Sequence, residues 1–140
     1  MARIKIELPN HFHFKTEIPI RVTDINYGGH LGNDSLLSII QESRVQFLNS
    51  IGSTELNFFG VAMIMSDVAV VYKSEGFYGE ILVVEIAVDE ISRVGFELLY
   101  KVTESKSNRE IAIAKTGMVS FDYKNRKVVS VPDEFKKIFS

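Results

Sequence analysis

The chain contains no cysteine, which excludes disulfide bonds and thiolate metal sites. It also lacks any run of about 20 apolar residues, the length that a helix needs to cross a bilayer. Residues 1–9 alternate charges with short aliphatic side chains and lack the apolar core of a signal peptide. A secreted disulfide-bonded fold and a membrane protein are therefore not expected, and the expected location is cytoplasmic.

A block of one charge sign is missing as well. The 16 basic and 18 acidic residues are mixed along the chain and give a formal net charge of -2. No basic stretch can follow a phosphate backbone, so nucleic acid is not an expected partner. The G-x-S-x-G elbow, the P-loop and the dinucleotide-binding glycine motif are also absent, which excludes the α/β-hydrolase class and most nucleotide chemistry.

The length and the hydrophobic content of the chain fit one globular domain. A chain of 140 residues with 46% hydrophobic residues is long enough to bury about two-thirds of its unfolded surface. No internal repeat, low-complexity tract or linker divides it. We therefore expect a single domain over residues 1–140.

Hydrophobic periodicity predicts one long helix and five strands. Residues 14–23 alternate as a strand does, and residues 24–32 form a glycine-rich turn. The helix follows, with Asn33 or Asp34 as its expected cap and Gly52 as its end. Further strands are expected over 61–73, 79–90, 91–104 and 110–123, and a short helical turn over 134–139.

The last four strands are consecutive, which predicts an antiparallel meander. In the strands over 79–90 and 91–104 one face is apolar, and the other carries charges such as Glu85 and Lys101. Such a sheet buries its apolar face most simply by wrapping around the single helix, which gives an α+β fold. The pattern alone leaves other one-helix antiparallel sheets open.

Polar side chains gather where the helix begins. Unpaired backbone N–H groups and the positive end of the helix dipole can polarise a carbonyl group or hold an anion there. Helix capping accounts for one polar residue at this point, but not for the whole group. The group consists of Asp24, Asn26, His30, Asn33 and Asp34, with Glu42 about two turns down the helix.

The amino-acid sequence of this segment resembles that of the hotdog-fold acyl-CoA thioesterases. An Arg-x-x-Asp-x-Asn turn precedes Gly-His and Asn, and the helix contains Glu-x-Arg and Phe-Leu; the resemblance extends over residues 14–133. It implies a long central helix wrapped by a curved antiparallel β-sheet, in a homodimer or a dimer of dimers with sites between subunits. The residues that carry it are Arg21, Asp24, Asn26, Gly29, His30, Asn33, Glu42, Arg44, Phe47 and Leu48.

The resemblance also implies hydrolysis of the thioester bond of a fatty or aromatic acyl-CoA. Backbone N–H groups at residues 33–35 would hold the carbonyl oxygen, and a carboxylate would act as general base or nucleophile. Many relatives have an Asp at the position of Asn26, and an amide cannot be a base. The role therefore passes to Asp24, Asp34 or Glu42. Glu42 is favoured, because burial against the sheet is expected to raise its pKa toward neutrality.

The other polar residues are expected to position the reactants. Asn33 and Asp34 would organise the carbonyl site. Asp24, Asn26 and His30 would orient water or the substrate, with Asp24 holding the imidazole of His30.

Substrate contacts are expected from small and basic residues. The phosphates of CoA need positive partners, for which Arg93 is the first choice and Lys73 the second. Gly29, Gly32 and Ser35 would contact the substrate around the turn. Many relatives have Asn at the position of Gly32.

Two other functions stay open. A non-catalytic acyl-CoA-binding hotdog protein would explain Asn26 as the mark of a lost active site. A hotdog hydratase or dehydratase would pair His30 with Glu42. No cofactor is expected, and no metal site either, because His11 and His13 have no third ligand nearby.

Overall fold

A computed structural model describes residues 3–139 and shows one long helix against a six-stranded antiparallel sheet. This architecture confirms the α+β class. The strands are β1 (Phe14–Pro19), β2 (Ala62–Tyr72), β3 (Ile81–Asp89), β4 (Gly95–Glu104), β5 (Glu110–Asp122) and β6 (Lys127–Val128), and the helices are α1 (Asn33–Ser50) and α2 (Asp133–Phe139).

Glycines flank helix α1 on both sides. Gly32 is the N-cap residue, and neither Asn33 nor Asp34 caps the helix through its side chain. The expected capping role is therefore wrong, since both residues lie inside the first turn. Gly52 follows the helix with a φ of 75°, a conformation that favours glycine and ends the helix as predicted. Neither helix within residues 3–139 has the length and apolar composition that a membrane span requires.

The first strand is shorter than expected. It ends at Pro19, and residues Val22–Asp24 form a turn of 3-10 helix instead of continuing the strand to residue 23. The Asp24 carboxylate accepts a hydrogen bond from the Arg21 N–H at 2.8 Å, which bends the chain at this point.

The sheet order is β1-β3-β4-β5-β2, with β6 beside β5. Strands β3, β4 and β5 form a meander, but β2 pairs with β5 and not with β3. The expected meander of four strands is therefore wrong. The loop of residues 73–80 instead carries the chain from β2 to β3 across three strand spacings, about 14 Å.

The core lies between α1 and one face of the sheet. Leu82 and Ile86 of β3 and Leu98 of β4 are fully buried, as are Leu36 and Leu48 of α1. Helix α2 covers the sheet beside the C-terminal part of α1 with an aromatic cluster. The rings of this cluster are Phe14, Phe47, Phe58, Phe96, Phe135 and Phe139.

The turn between β4 and β5 is built on one buried carboxylate. Glu104 accepts hydrogen bonds from the Lys106 N–H at 3.0 Å, and from the Ser107 N–H at 2.9 Å and hydroxyl at 2.8 Å. These bonds, with the backbone N–H of Lys106 first, lower the pKa of Glu104 from 4.5 to about 2. The turn is therefore stabilised by the ionised form of this side chain.

This arrangement predicts an acid-sensitive contribution to stability. Because the folded-state pKa of Glu104 lies below its unfolded value, the contribution is complete above about pH 4.5 and is lost as the pH falls toward 2. We expect Glu104→Gln to flatten the pH dependence of the free energy of unfolding in this window, as measured by urea denaturation. Glu110→Gln, at an exposed position in β5, is the matched control and should keep the wild-type slope.

Candidate active site

Backbone hydrogen bonds fold the segment before α1 into a compact turn. The Asn26 N–H donates to His30 O at 2.9 Å, and the Gly29 N–H donates to Asn26 O at 3.1 Å. The side-chain oxygen Oδ1 of Asn26 accepts the Gly28 N–H at 2.8 Å. Gly29 has a φ of 83°, a conformation that favours glycine. The amide of Asn26 therefore shapes the turn that presents His30.

Three side chains lie near the open side of Gly32, which is the position that a Cβ atom would occupy. A Cβ atom placed on Gly32 would lie 2.7 Å from Asp34 Oδ1, 3.5 Å from Asn26 Cβ and 3.6 Å from Ser35 Oγ. The missing side chain leaves this space to the Asp34 carboxylate. Asn26, Gly32, Asp34 and Ser35, all predicted site residues, are thus brought together.

Unpaired backbone donors lie at the same place. The first hydrogen bond of α1 is from the Leu36 N–H to Gly32 O at 3.0 Å. Within residues 3–139, the N–H groups of Asn33, Asp34 and Ser35 have no acceptor. With the positive end of the helix dipole, they form a position for a carbonyl oxygen or an anion.

A cavity of about 260 Å³ opens beside these donors. Its lining comes from three parts of the chain: residues 30–33 with Leu36, residues 72–76 at the end of β2 and in the following loop, and Ile111 in β5. His30, Asn33 and Lys73, which the sequence predicted as site residues, therefore border one space.

Tyr72 is a site residue that sequence reasoning missed. Its hydroxyl donates to Asn33 O at 3.4 Å, so the end of β2 contacts the start of α1. Burial, followed by the nearby charge of Asp34, raises the pKa of the Tyr72 phenol. The phenol therefore lies within the field of the Asp34 carboxylate.

Asp24 anchors the turn and does not hold His30. Its carboxylate is buried and bound by Arg21, whose Nη2 lies 3.3 Å from Asp24 Oδ1. The His30 imidazole instead has its Nδ1 at 3.3 Å from Leu31 O. The predicted contact between Asp24 and His30 is therefore wrong.

Glu42 lies apart from the helix start in this chain. It is exposed and accepts a hydrogen bond from Gln46 Nε2 at 2.8 Å. It borders a second cavity of about 320 Å³ between β1 and α1, which Arg21 also lines. The expected burial of Glu42 is wrong, because the sheet covers the opposite face of α1. The eight residues from Asp34 to Glu42 span about 12 Å of helix.

The two basic candidates are placed differently. Lys73 borders the 260 Å³ cavity. Arg93 is exposed in the segment before β4, where its carbonyl oxygen accepts the Val131 N–H at 2.8 Å. Within one chain, therefore, Lys73 lies at the candidate site and Arg93 does not line it.

The histidines near the N-terminus have contacts of a structural kind. His13 Nδ1 accepts the Val88 N–H at 3.0 Å, and its ring packs on Phe139 with centroids 5.0 Å apart. Burial, followed by the neighbouring His11, lowers the pKa of His13. Among residues 3–139 no group of three or more side chains is arranged to hold a metal ion.

Comparison with known proteins gives one consistent result. Residues 20–139 match the sequence model of the thioesterase-like superfamily. A protein of Aquifex aeolicus that is named as a candidate esterase is 26% identical over 129 residues, which cover 91% of this chain and 96% of that protein.

Solved structures agree with the fold. A 1,4-dihydroxy-2-naphthoyl-CoA thioesterase from Synechocystis has a TM-score of 0.82 at 19% identity, over 90% of this chain and 94% of that one. A DHNA-CoA thioesterase from Staphylococcus aureus has a TM-score of 0.79 at 17% identity, over 89% of each chain. These similarities confirm the hotdog fold. The match over residues 20–139 shows that this chain belongs to the thioesterase-like superfamily.

Proposed function

We propose that the protein hydrolyses the thioester bond of an acyl-CoA whose carbonyl oxygen binds at the N-terminus of α1. The observation that carries this proposal is the set of unpaired N–H groups at residues 33–35 beside a cavity of about 260 Å³. A preorganised donor of this kind stabilises the oxyanion of acyl transfer by about 2.7–4 kcal/mol. Membership of the thioesterase-like superfamily supports thioester hydrolysis as the reaction class.

The chemistry needs one water molecule and one carboxylate. The carboxylate accepts a proton as the water oxygen bonds to the carbonyl carbon, and the negative charge develops on the carbonyl oxygen beside the N–H groups. The C–S bond then breaks, and the proton passes to the thiolate of CoA. The products are a carboxylic acid and the CoA thiol.

Asp34 is the carboxylate that we assign to this role. It is the predicted acid whose oxygen lies beside Gly32, whereas Asp24 is bound by Arg21 and Glu42 borders another cavity. Glu42 remains a candidate only as a residue of a second copy of the chain.

A second copy is expected on the face where α1 meets the edge strand β2. Leu37, Met65 and Val68 are 41%, 47% and 40% exposed on this face, and Arg44 borders a cavity of about 140 Å³ beneath them. An unpaired strand edge with apolar neighbours favours an isologous contact. We therefore propose a homodimer or a dimer of dimers.

Replacement of an apolar residue on this face should separate the copies. We expect Met65→Glu to convert the oligomer to monomers at micromolar concentration, because a charge would be buried at the contact. Light scattering measures the mass. Leu56→Glu, which introduces the same charge at another exposed position, should leave the mass unchanged. A wild-type protein that is already a monomer would contradict the proposal.

Lys73 is expected to bind a phosphate of CoA. Loss of one charge-assisted contact costs about 1.5–3 kcal/mol, so Lys73→Ala should raise KM about tenfold or more. The value of kcat should change less, because binding to the nonreacting part of the substrate is largely uniform. Steady-state kinetics with Arg93→Ala in parallel tests both basic candidates. A larger KM effect for Arg93→Ala would place the nucleotide near residue 93, at a site completed by the second copy.

A hydrolysis assay on a panel of acyl-CoAs tests the proposed function. A thiol-reactive dye reports the released CoA without background from the enzyme, because the chain has no cysteine. Turnover of at least one acyl-CoA is expected. If none turns over, while a hydrolysis-resistant acyl-CoA thioether still binds in calorimetry, the protein is a non-catalytic acyl-CoA binder.

The binder is the second candidate because Asn26 occupies the position of the usual Asp, and its side-chain oxygen is already engaged by the Gly28 N–H. A hydratase or dehydratase is less well supported. Its pair of His30 and Glu42 borders two separate cavities in this chain.

A further inference from the structure

One wall of the candidate site is a loop that has little regular structure of its own. Residues 74–76 border the 260 Å³ cavity within the loop of residues 73–80. Gly76 O accepts the Leu31 N–H at 2.7 Å, so the loop bonds directly to the residue after His30. A Cβ on Gly76 would lie 2.9 Å from Ile20 Cδ1. The loop therefore packs tightly against the turn, and its position sets the shape of the site.

A single arginine from another part of the chain contacts this loop at several points. The Arg109 Nη2 donates to both carboxylate oxygens of Glu80, at 2.9 Å and 3.1 Å, and to Glu75 O at 2.9 Å. The Arg109 Nε donates to Ser74 Oγ at 3.3 Å. Glu80 Oε1 in turn accepts the Phe77 N–H at 2.8 Å. The guanidinium thus joins the two ends of the loop, and the Glu80 carboxylate that it binds also holds Phe77 in the middle.

Arg109 itself is held by a well-bonded turn. It is the last residue of the 105–109 turn, which the Glu104 carboxylate organises. Arg109 O accepts the Glu104 N–H at 2.9 Å, and the Arg109 N–H donates to Ser107 Oγ at 3.2 Å. The arginine is therefore attached to the sheet and not to a mobile segment.

We propose that Arg109 is a positioning residue that holds loop 73–80 against the Gly-His turn and so fixes one wall of the site. Its importance for catalysis rests on the proposed function of that site. An isolated surface ion pair contributes little, and the Arg109 and Glu80 side chains are 36% and 23% exposed. The planar guanidinium differs from such a pair because its donors lie on separate nitrogen atoms: Nε reaches Ser74 while Nη2 reaches Glu75 O and the Glu80 carboxylate. The three donors of a lysine share one nitrogen atom and cannot reproduce this spacing.

Amide hydrogen exchange tests the positioning role without any substrate. In Arg109→Gln we expect exchange at Leu31, Phe77 and Gly79 to be at least about tenfold faster. The bonds from these N–H groups to Gly76 O, Glu80 Oε1 and Ile20 O open when the loop is released. The exchange rates in Arg109→Lys should lie between those of Arg109→Gln and those of the wild type. Lys106→Gln removes the same charge from the same turn and should leave exchange unchanged. Unaltered exchange at Leu31 in Arg109→Gln would overturn the proposal.

Kinetics test whether the loop position matters to the reaction. Displacement of a site wall by about 1 Å can cost up to about 10²-fold, so kcat/KM of Arg109→Gln should fall about 10- to 100-fold, with partial recovery in Arg109→Lys. Faster exchange with unchanged kcat/KM would overturn the catalytic relevance of the loop.

The experiments give a different set of results if the proposed function is wrong. If the wild type hydrolyses no acyl-CoA, the exchange experiment still decides whether Arg109 holds the loop. The affinity for a hydrolysis-resistant acyl-CoA thioether then replaces kcat/KM, with the same expected 10- to 100-fold loss. A wild type that neither hydrolyses nor binds would refute the proposed function, and exchange at Leu31 would alone decide the role of Arg109.

Discussion

Asp34→Asn is expected to lower kcat for acyl-CoA hydrolysis by about 10²–10⁴-fold, the contribution of a general base. The amide has nearly the shape of the carboxylate, so it can occupy the same space beside Gly32, but it cannot accept the proton of the attacking water. Thiol release measures the rate. Circular dichroism and the midpoint of thermal unfolding show whether the fold is intact, and we expect both to remain close to those of the wild type.

Glu42→Gln is the matched comparison, because it makes the same chemical change at the other candidate acid. We expect it to keep near-normal kcat, since Glu42 is exposed and borders a different cavity. If Glu42→Gln removes most of kcat and Asp34→Asn does not, the base belongs to the helix of a second copy. The monomeric Met65→Glu variant would then be inactive as well, which links the two results.

Much of the fold was predictable because each element carries its own signal. The apolar stripe and Gly52 predict α1 to within two residues of its end at Ser50. The alternation in β3 and β4 predicts the core-facing side chains, such as Leu82 and Leu98, but not the burial of Leu99 on the other face of β4. Periodicity shows which face of a strand is buried but not which strand lies beside it. For that reason the pairing of β2 with β5 was missed.

The candidate site was likewise predictable only where its residues are close together in the sequence. Residues 24–35 are contiguous, so the sequence shows their clustering directly. Tyr72 and Ile111 reach the cavity only because β2 pairs with β5, and no local pattern indicates this. The burial of Glu42 was wrongly predicted because a helix wrapped by a sheet still has one uncovered face. The apolar stripe of α1 does not indicate how far the sheet extends around the helix. Arg109 had no signal at all, since its partners lie about 30 residues earlier in the chain.

Gly32→Ala is expected to reduce kcat strongly with little loss of stability. The φ of Gly32 is -72°, which alanine adopts without strain, so the free energy of unfolding should fall by no more than about 1 kcal/mol from the poorer N-cap. The new Cβ, however, would lie 2.7 Å from Asp34 Oδ1, so the carboxylate must move away from the helix start. A displacement of about 1 Å can cost up to about 10²-fold, and we expect kcat to fall about 10- to 100-fold.

A double-mutant cycle shows whether this loss acts through Asp34. If the methyl group acts only by displacing the carboxylate, Gly32→Ala should cost almost nothing further in the Asp34→Asn background, because the displaced group has already lost its function. Additive losses in the double variant would mean that the methyl group instead blocks the substrate or the N–H groups of residues 33–35. In that case a rise in KM should accompany the loss of kcat. Thiol-release kinetics on the wild type, both single variants and the double variant therefore test the link between the open side of Gly32 and the position of the catalytic carboxylate.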